Sequence, residues 1–327
     1  MSFRSTRNLY EQQNHNKRLT IIIMVVFCIF LAFLGLGFDF YLTGSLDNNA
    51  FVPIGTLLAV GLGAGSAAWS LKSGSAAVLR SAGALPVEAA NQHHQQLLNV
   101  VDEMSIASGL PRPKVFVIPD QDPNAFATGK DPEHSSIAVT EGLLSMLNRE
   151  ELQGVVAHEM SHIRNYDIRL MTVIAALMGA VLLLSDWARR SLWYGGRSRR
   201  RSKSSSQLGG LLFVLWLVGL ILAPIIGQMM AMAVSRKREF LADASAAEMT
   251  RNPLGLAEAL RKLERASEPT ASIKRGAAHL CIVDPLGRKL NSKVGFTAEL
   301  FGTHPPIEQR IVALRAMAYQ VTPTPAA

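Results

Sequence analysis

The stretch NREELQGVVAHEMSHIRN, residues 148–165, decides the reading of this chain. Asn148, with Glu151 three residues on, resembles a capping box, in which two side chains satisfy the free N–H groups that open a helix. On that helix His158 and His162 lie four apart. Residues at this spacing share a face one turn apart, so both imidazoles can be directed at a single cation. Glu159 sits beside them, within reach of a metal-bound water. Two neutral nitrogen ligands and an adjacent carboxylate are what zinc hydrolysis requires. Chance alone gives His-Glu-x-x-His in roughly one chain in a hundred, so the capped, helical setting matters. The competing reading is a helix with solvated histidines.

A catalytic zinc needs a third protein ligand from elsewhere in the chain. The candidate is Glu239, in Arg236-Lys237-Arg238-Glu239-Phe240-Leu241-Ala242-Asp243, which follows a hydrophobic segment. Asp243, one turn later, would then accept a hydrogen bond from a ligand histidine and set its tautomer. Spacing alone allows a second account, two solvated carboxylates paired with neighbouring basic side chains.

Outward from the motif, the apolar residues are unevenly spread. At 49% of 327 residues they are near the globular average, so their placement carries the information. Residues 19–37 and 51–71 contain no charge, and each is close to the roughly 20 residues that cross a hydrocarbon core. The first is too long for a signal-peptide core and is followed closely by the second, which predicts a retained transmembrane hairpin over 18–71 behind a mobile polar tail, 1–17. An amphipathic helix is expected over 91–108. Bulky, β-rich residues predict strands at 114–118, 125–128 and 136–140, paired as a small antiparallel sheet. Residues 170–185 and 208–234 form a second hydrophobic helical hairpin around a basic, Ser/Arg-rich loop at 189–206, expected to be disordered. Helices should follow Asn252-Pro253, with Leu256, Leu260 and Leu263 on one face, and Pro305-Pro306, with Ile307, Ile311 and Leu314 at core spacing. The fold class is mostly α with a small antiparallel β-sheet, its protease domain divided into 72–169 and 235–327 by the second hairpin at 170–234.

Taken in order, Pro123-Asn124-Ala125-Phe126-Ala127-Thr128-Gly129, His158-Glu159-Met160-Ser161-His162, the run 235–243, and Thr303-His304-Pro305-Pro306 with Arg310 resemble the HtpX-like membrane zinc metalloproteases, relatives of the CaaX prenyl proteases. The resemblance implies a membrane-anchored, zincin-like fold with a gluzincin-type site. One Zn2+ would be held by His158, His162 and Glu239, with Glu159 as general base and later proton donor and Asp243 behind a ligand. It also implies that Asn124, Ala125 and Phe126 lie along the cleft as an edge strand that can pair with an extended substrate. His304 and Arg310 are candidate substrate or oxyanion contacts. The implied function is endoproteolysis of misfolded or membrane proteins in quality control. The alternative is a non-catalytic membrane scaffold, against which the intact Glu159 stands.

The net charge of +8 flanks hydrophobic segments or crowds one loop, so it points to the lipid bilayer and not to nucleic acid. The basic tail, set against Asp39 and Asp47 after the first span, places the protease body on the cytoplasmic side of a bacterial inner membrane by the positive-inside tendency. Were both later hydrophobic segments to cross, the basic loop would lie outside, so that pair is expected to pack on the membrane surface or on the protein. Cys28 and Cys281 form no disulfide or metal pattern.

Overall fold

A computed structural model of the chain describes residues 9–43, 53–88, 91–177, 236–266, 272–273, 280–283 and 305–321. Two long helices come first, α1 (Leu9–Thr43) and α2 (Ile54–Ser81). With 35 residues, α1 is about 52 Å long at 1.5 Å per residue, well beyond a hydrocarbon core of about 30 Å. Both helices contain segments apolar and long enough to span a membrane, and Ile21, Ile22, Ile29, Leu57, Leu58 and Leu62 remain exposed on them as a lipid-facing surface would require. Asp39, read from sequence as part of a loop, is helical. Its Oδ1 accepts the Gly55 N–H at 2.7 Å and its Oδ2 accepts the Thr56 N–H at 2.7 Å, so α1 supplies the N-terminal cap that Pro53 cannot give α2.

The tail expected over 1–17 is helical from Leu9 onward, and Asn16 is buried. Its polarity reads as disorder in sequence; its partners lie 150 residues away.

After α2 the chain forms β1 (Leu85–Pro86), α3 (Gln92–Ser108), β2 (Lys114–Ile118), β3 (Ala125–Gly129) and β4 (Ser135–Thr140). The sheet order is β1-β2-β4-β3. β3 and β4 pair antiparallel as expected, and so do β1 and β2, but β2 and β4 run parallel, so the sheet is mixed. The reason is topological: the β3–β4 hairpin docks through its second strand, which enters between β2 and β3.

Strand alternation divides the sheet between two cores. Val115, Val117, Ala125, Ala127, Ile137 and Val139 face the helical body. Ile118, Phe126 and Ala138 face the other way, onto a cluster that includes Ile23, Phe27 and Leu31 of α1 and Val78 and Leu79 of α2. The sheet thereby joins the two long helices to the helical body.

Next come α4 (Glu141–Met146) and α5 (Arg149–Arg164), the latter opened by the expected capping box, with Glu151 N–H on Asn148 Oδ1 at 3.0 Å and Asn148 N–H on Glu151 Oε2 at 2.8 Å. Residues 167–177 continue as α6, with Leu170, Met171, Val173 and Ile174 buried in the cluster beside the anchor. The rest of the second hydrophobic hairpin, and the basic loop 189–206, lie outside the described residues. The C-terminal part supplies α7 (Arg236–Thr250), α8 (Pro253–Arg265) and α9 (Ile307–Val321). The predicted core faces are buried: Leu256, Leu260 and Leu263 on α8, and Ile307, Ile311 and Leu314 on α9.

α5 meets α8 at glycine. A Cβ on Gly154 would stand 2.7 Å from the Leu256 backbone nitrogen, and one on Gly255 would stand 2.8 Å from the Glu150 carbonyl oxygen. Gly to Ala inside a helix ordinarily stabilises by up to about 1 kcal/mol. Here overpacking against backbone outweighs that gain, and Gly154→Ala is expected to destabilise by about 1–3 kcal/mol, read as a lower unfolding midpoint of the detergent-purified protein.

Candidate active site

α5 is buried along most of its length, and His158, Glu159 and His162 are at most 4% exposed. α7 crosses it and brings Glu239 to the same point. His158 Nε2 and His162 Nε2 are 3.2 Å apart, His158 Nε2 is 3.7 Å from Glu239 Oε2, and His162 Nε2 is 3.7 Å from Glu239 Oε1. Three ligands on a tetrahedral zinc at 2.0–2.1 Å would stand about 3.3 Å from one another. The observed triangle fits with shifts of a few tenths of an ångström.

The other ring nitrogens fix the tautomers. His158 Nδ1 lies 3.0 Å from Asp243 Oδ1, and His162 Nδ1 lies 3.1 Å from Asp167 Oδ2. An ionised carboxylate can only accept, so each Nδ1 carries a proton, and a neutral imidazole held this way would turn its Nε2 lone pair toward the shared centre. Asp243 is held by Arg310 through two hydrogen bonds, Nε to Oδ2 at 2.8 Å and Nη2 to Oδ1 at 2.7 Å. Burial alone would raise Asp243, but the paired guanidinium more than offsets this and keeps it below the ordinary carboxylate range.

Asp167 escaped the sequence reading for a geometric reason. In an unbroken helix it would lie about 140° around the axis from His162. Instead α5 ends at Asn165, and Tyr166 takes φ 59, a left-handed conformation rare for a bulky residue, so α6 starts in a new direction with Asp167 turned back on His162. Arg238, the residue immediately before Glu239, also reaches it, with Nη1 3.3 Å from Asp167 Oδ1.

Burial pushes the Glu159 carboxyl up to about 7, with His162 opposing the rise and Glu239 adding to it. Its carboxylate takes the Ala127 backbone N–H, while Oε2 is buried with no hydrogen-bond partner among the described residues. Burial would lower the His162 imidazole, yet the Asp167 hydrogen bond and the charges of Glu239, Asp167 and Glu159 hold it up at about 9. Burial and the nearby Arg310 charge lower His158, against the pull of Asp243. Among the described residues the buried carboxylates Glu159, Asp167, Glu239 and Asp243 face the buried guanidiniums of Arg238 and Arg310. Were both imidazoles neutral, as metal ligands are, and all four carboxylates ionised, the group would carry two negative charges beyond its two guanidiniums. Buried charge must be paired, and a divalent cation at the triangle would pair it.

The edge of β3 is not open. Ile282 N–H donates to the Ala125 carbonyl at 3.0 Å, Phe126 bridges Cys281 in antiparallel sense, and Asn124 Nδ2 donates to the Val283 carbonyl at 3.2 Å. Arg310 Nη1 completes the set on the Ile282 carbonyl at 3.3 Å. β3 therefore lies beside Glu159, through the Ala127 N–H, and its edge is paired with the chain's own segment 280–283. Arg310, read from sequence as an oxyanion or substrate contact, is wholly buried and commits two of its nitrogens to Asp243. His304 lies outside the described residues.

Fold and site define a class of protein: a metallopeptidase built onto a membrane anchor. Residues 91–318 match the profile of peptidase family M48, and the chain belongs to that family, in its HtpX-like group. It is 42% identical to the Protease HtpX homolog of Caldanaerobacter subterraneus subsp. tengcongensis, across 95% of this chain and 98% of that one. It is 41% identical to the Protease HtpX homolog of Thermoanaerobacter pseudethanolicus, across 96% and 99%. A crystal structure of S. mikatae Ste24p is similar at 18% identity and a TM-score of 0.48, across 93% of this chain and 67% of that one.

Replacing Glu239 by Ala removes one corner of the triangle. Metal analysis after dialysis is expected to show binding weakened by more than about a hundredfold, beyond the usual cost of altering an outer-shell partner.

Proposed function

We propose that this membrane metallopeptidase is a zinc-dependent endopeptidase that cuts unfolded and membrane proteins in quality control, at the cytoplasmic face of a bacterial inner membrane. Residues 72–169 and 235–327 make up its protease domain. The observation that carries this reading is the backbone segment 280–283 lying along β3 beside Glu159. The hydrogen bonds that Ala125, Asn124 and Arg310 make with that segment go to its main chain, while its side chains Leu280, Cys281 and Ile282 are buried in the hydrophobic clusters on either side. Such hydrogen bonds select an extended backbone, which suits a protease of unfolded chains.

His158, His162 and Glu239 would hold the zinc, with Asp243 and Asp167 fixing the imidazoles. Bound there, zinc would supply Lewis acidity, bringing the pKa of a coordinated water down to about 7. Glu159 accepts the proton released as the peptide carbonyl is attacked and returns it to the departing amine. Its burial, which favours the protonated form, suits it to hold that proton before passing it on. A substrate strand would take Ala125 and Arg310 as Ile282 does now, so segment 280–283 must leave the edge first.

The geometry also supports the orientation. Asn16, next to Lys17 and Arg18, bonds Asp167 beside the site, whereas Asp39 lies at the far end of the same helix. The site is thus at the basic end of α1, the end that the positive-inside tendency keeps in the cytoplasm.

Glu159→Gln keeps the shape and loses the base. Purified with zinc, it is expected to retain the metal and to cut an unstructured substrate about 10²–10⁴-fold more slowly; cleavage at the parental rate would overturn the assignment. Ile282→Pro removes the N–H that holds the segment on Ala125. A net hydrogen bond of about 1 kcal/mol corresponds to roughly a fivefold rise in kcat/KM, and an unchanged or lower value in folded protein would show that the segment does not stand in the substrate's place.

A further inference from the structure

The anchor helix continues past its apolar stretch and reaches the metal centre. Gln13, Asn16 and Lys17, at spacings of three and four, share one face of α1. All three touch the turn that joins α5 to α6. Gln13 Nε2 donates to the Arg164 carbonyl at 2.8 Å. Asn16 Nδ2 donates to the Asn165 carbonyl at 2.9 Å and to Asp167 Oδ1 at 2.7 Å. Lys17 Nζ stands 4.1 Å from the centre of the Tyr166 ring, a cation–π contact on the residue held at φ 59. Four consecutive residues, 164 to 167, are thereby gripped from the anchor.

Asn16 is the central member. It is 1% exposed, and a buried amide is costly unless bonded. Of its two bonds, one holds the backbone of the turn and the other holds the carboxylate behind His162. Asp167 has two oxygens to place. Asn16 and, at 3.3 Å, Arg238 take Oδ1, which leaves Oδ2 for His162 Nδ1 at 3.1 Å. The left-handed Tyr166 backbone is a conformation that persists only where the surroundings impose it, and the contacts from α1 are among those surroundings.

We propose that Asn16 is a positioning residue of the metal centre. Acting through Asp167, it sets the orientation of His162, so that the membrane anchor is part of the catalytic apparatus as well as a tether. This rests on the reading that His158, His162 and Glu239 bind zinc. It extends the set of residues governing metal affinity to a helix that carries no ligand.

The test uses full-length protein in detergent, with zinc affinity measured by chelator competition and ligand geometry by the visible absorption of the cobalt-exchanged protein. Asn16→Leu is compared with Asn14→Leu, the same substitution at an exposed site two residues away on the same helix. Asn16→Leu is expected to weaken zinc about tenfold and to alter the cobalt spectrum, and Asn14→Leu to do neither. Combined with Asp167→Ala, it should add no further loss, because its effect passes through Asp167. Should Asn16→Leu not fold, Asn16→Ala carries the same comparison. Parental zinc affinity and cobalt spectrum in the Asn16 variant, or a loss that adds in full to that of Asp167→Ala, overturns the proposal and leaves the zinc reading intact. A parental protein that binds neither metal overturns both.

Discussion

Charge without water is the constraint around which this protein is arranged. His158, Glu159, His162, Asp167, Glu239, Asp243, Arg238 and Arg310 lie together in an interior from which solvent is nearly absent. An isolated carboxylate in such a place would cost several kcal/mol, so each must meet a hydrogen-bond donor or an opposite charge. The arrangement answers with pairs: Asp243 on Arg310 and His158, Asp167 on Arg238 and His162. Glu239, its Oε2 3.5 Å from Arg310 Nη1, faces the two imidazoles across a point where a divalent cation fits. Glu159 answers differently, its acidity shifted toward neutrality by its burial. The same burial that makes the cluster costly is what would suit that glutamate to the proposed role of base.

Such a cluster tolerates little movement, and the fold around it is correspondingly tied down. α5 is locked against α8 where Gly154 and Gly255 leave no room for side chains, and its far end is held by α1. The sheet serves both sides, packing Val117, Ala127 and Val139 on the protease helices and Ile118, Phe126 and Ala138 on the anchor cluster. Membrane helices and catalytic body therefore pack on opposite faces of one sheet. A protease that meets its substrates at a bilayer gains from this, because the cleft keeps a fixed relation to the lipid surface.

The segment 280–283 adds a further element. By lying on β3 it satisfies an edge that would otherwise present unpaired backbone groups, a hazard for any exposed strand. The same pairing is the one an extended substrate would make. Under the proposed function, closure of the edge and recognition of substrate would be one interaction used by two partners.

Much of this was legible in order along the chain. The capping box at Asn148, the helical pair His158 and His162, the apolar spans and the leucine face of α8 are local patterns, set by periods of a few residues that act before any tertiary contact forms. Glu239 was legible as a carboxylate one turn before another, but its convergence on the imidazoles depends on how α7 crosses α5. Asp167, Asn16 and Arg238 were not legible. Asp167 reaches His162 only because Tyr166 breaks the helical period, and Asn16 comes from a helix some 150 residues away, in a stretch whose polarity resembles a loose tail. The parallel pairing of β2 with β4 and the occupation of β3 by residues 280–283 were hidden for the same cause. Sequence by itself determined the elements, the apolar spans and the chemical identity of the central groups, because those follow from short-range sterics and hydropathy. Tertiary structure alone decided which carboxylate stands behind which imidazole and what lies on the cleft edge, because hydrogen bonds between distant segments obey distance in space and leave no period in the chain.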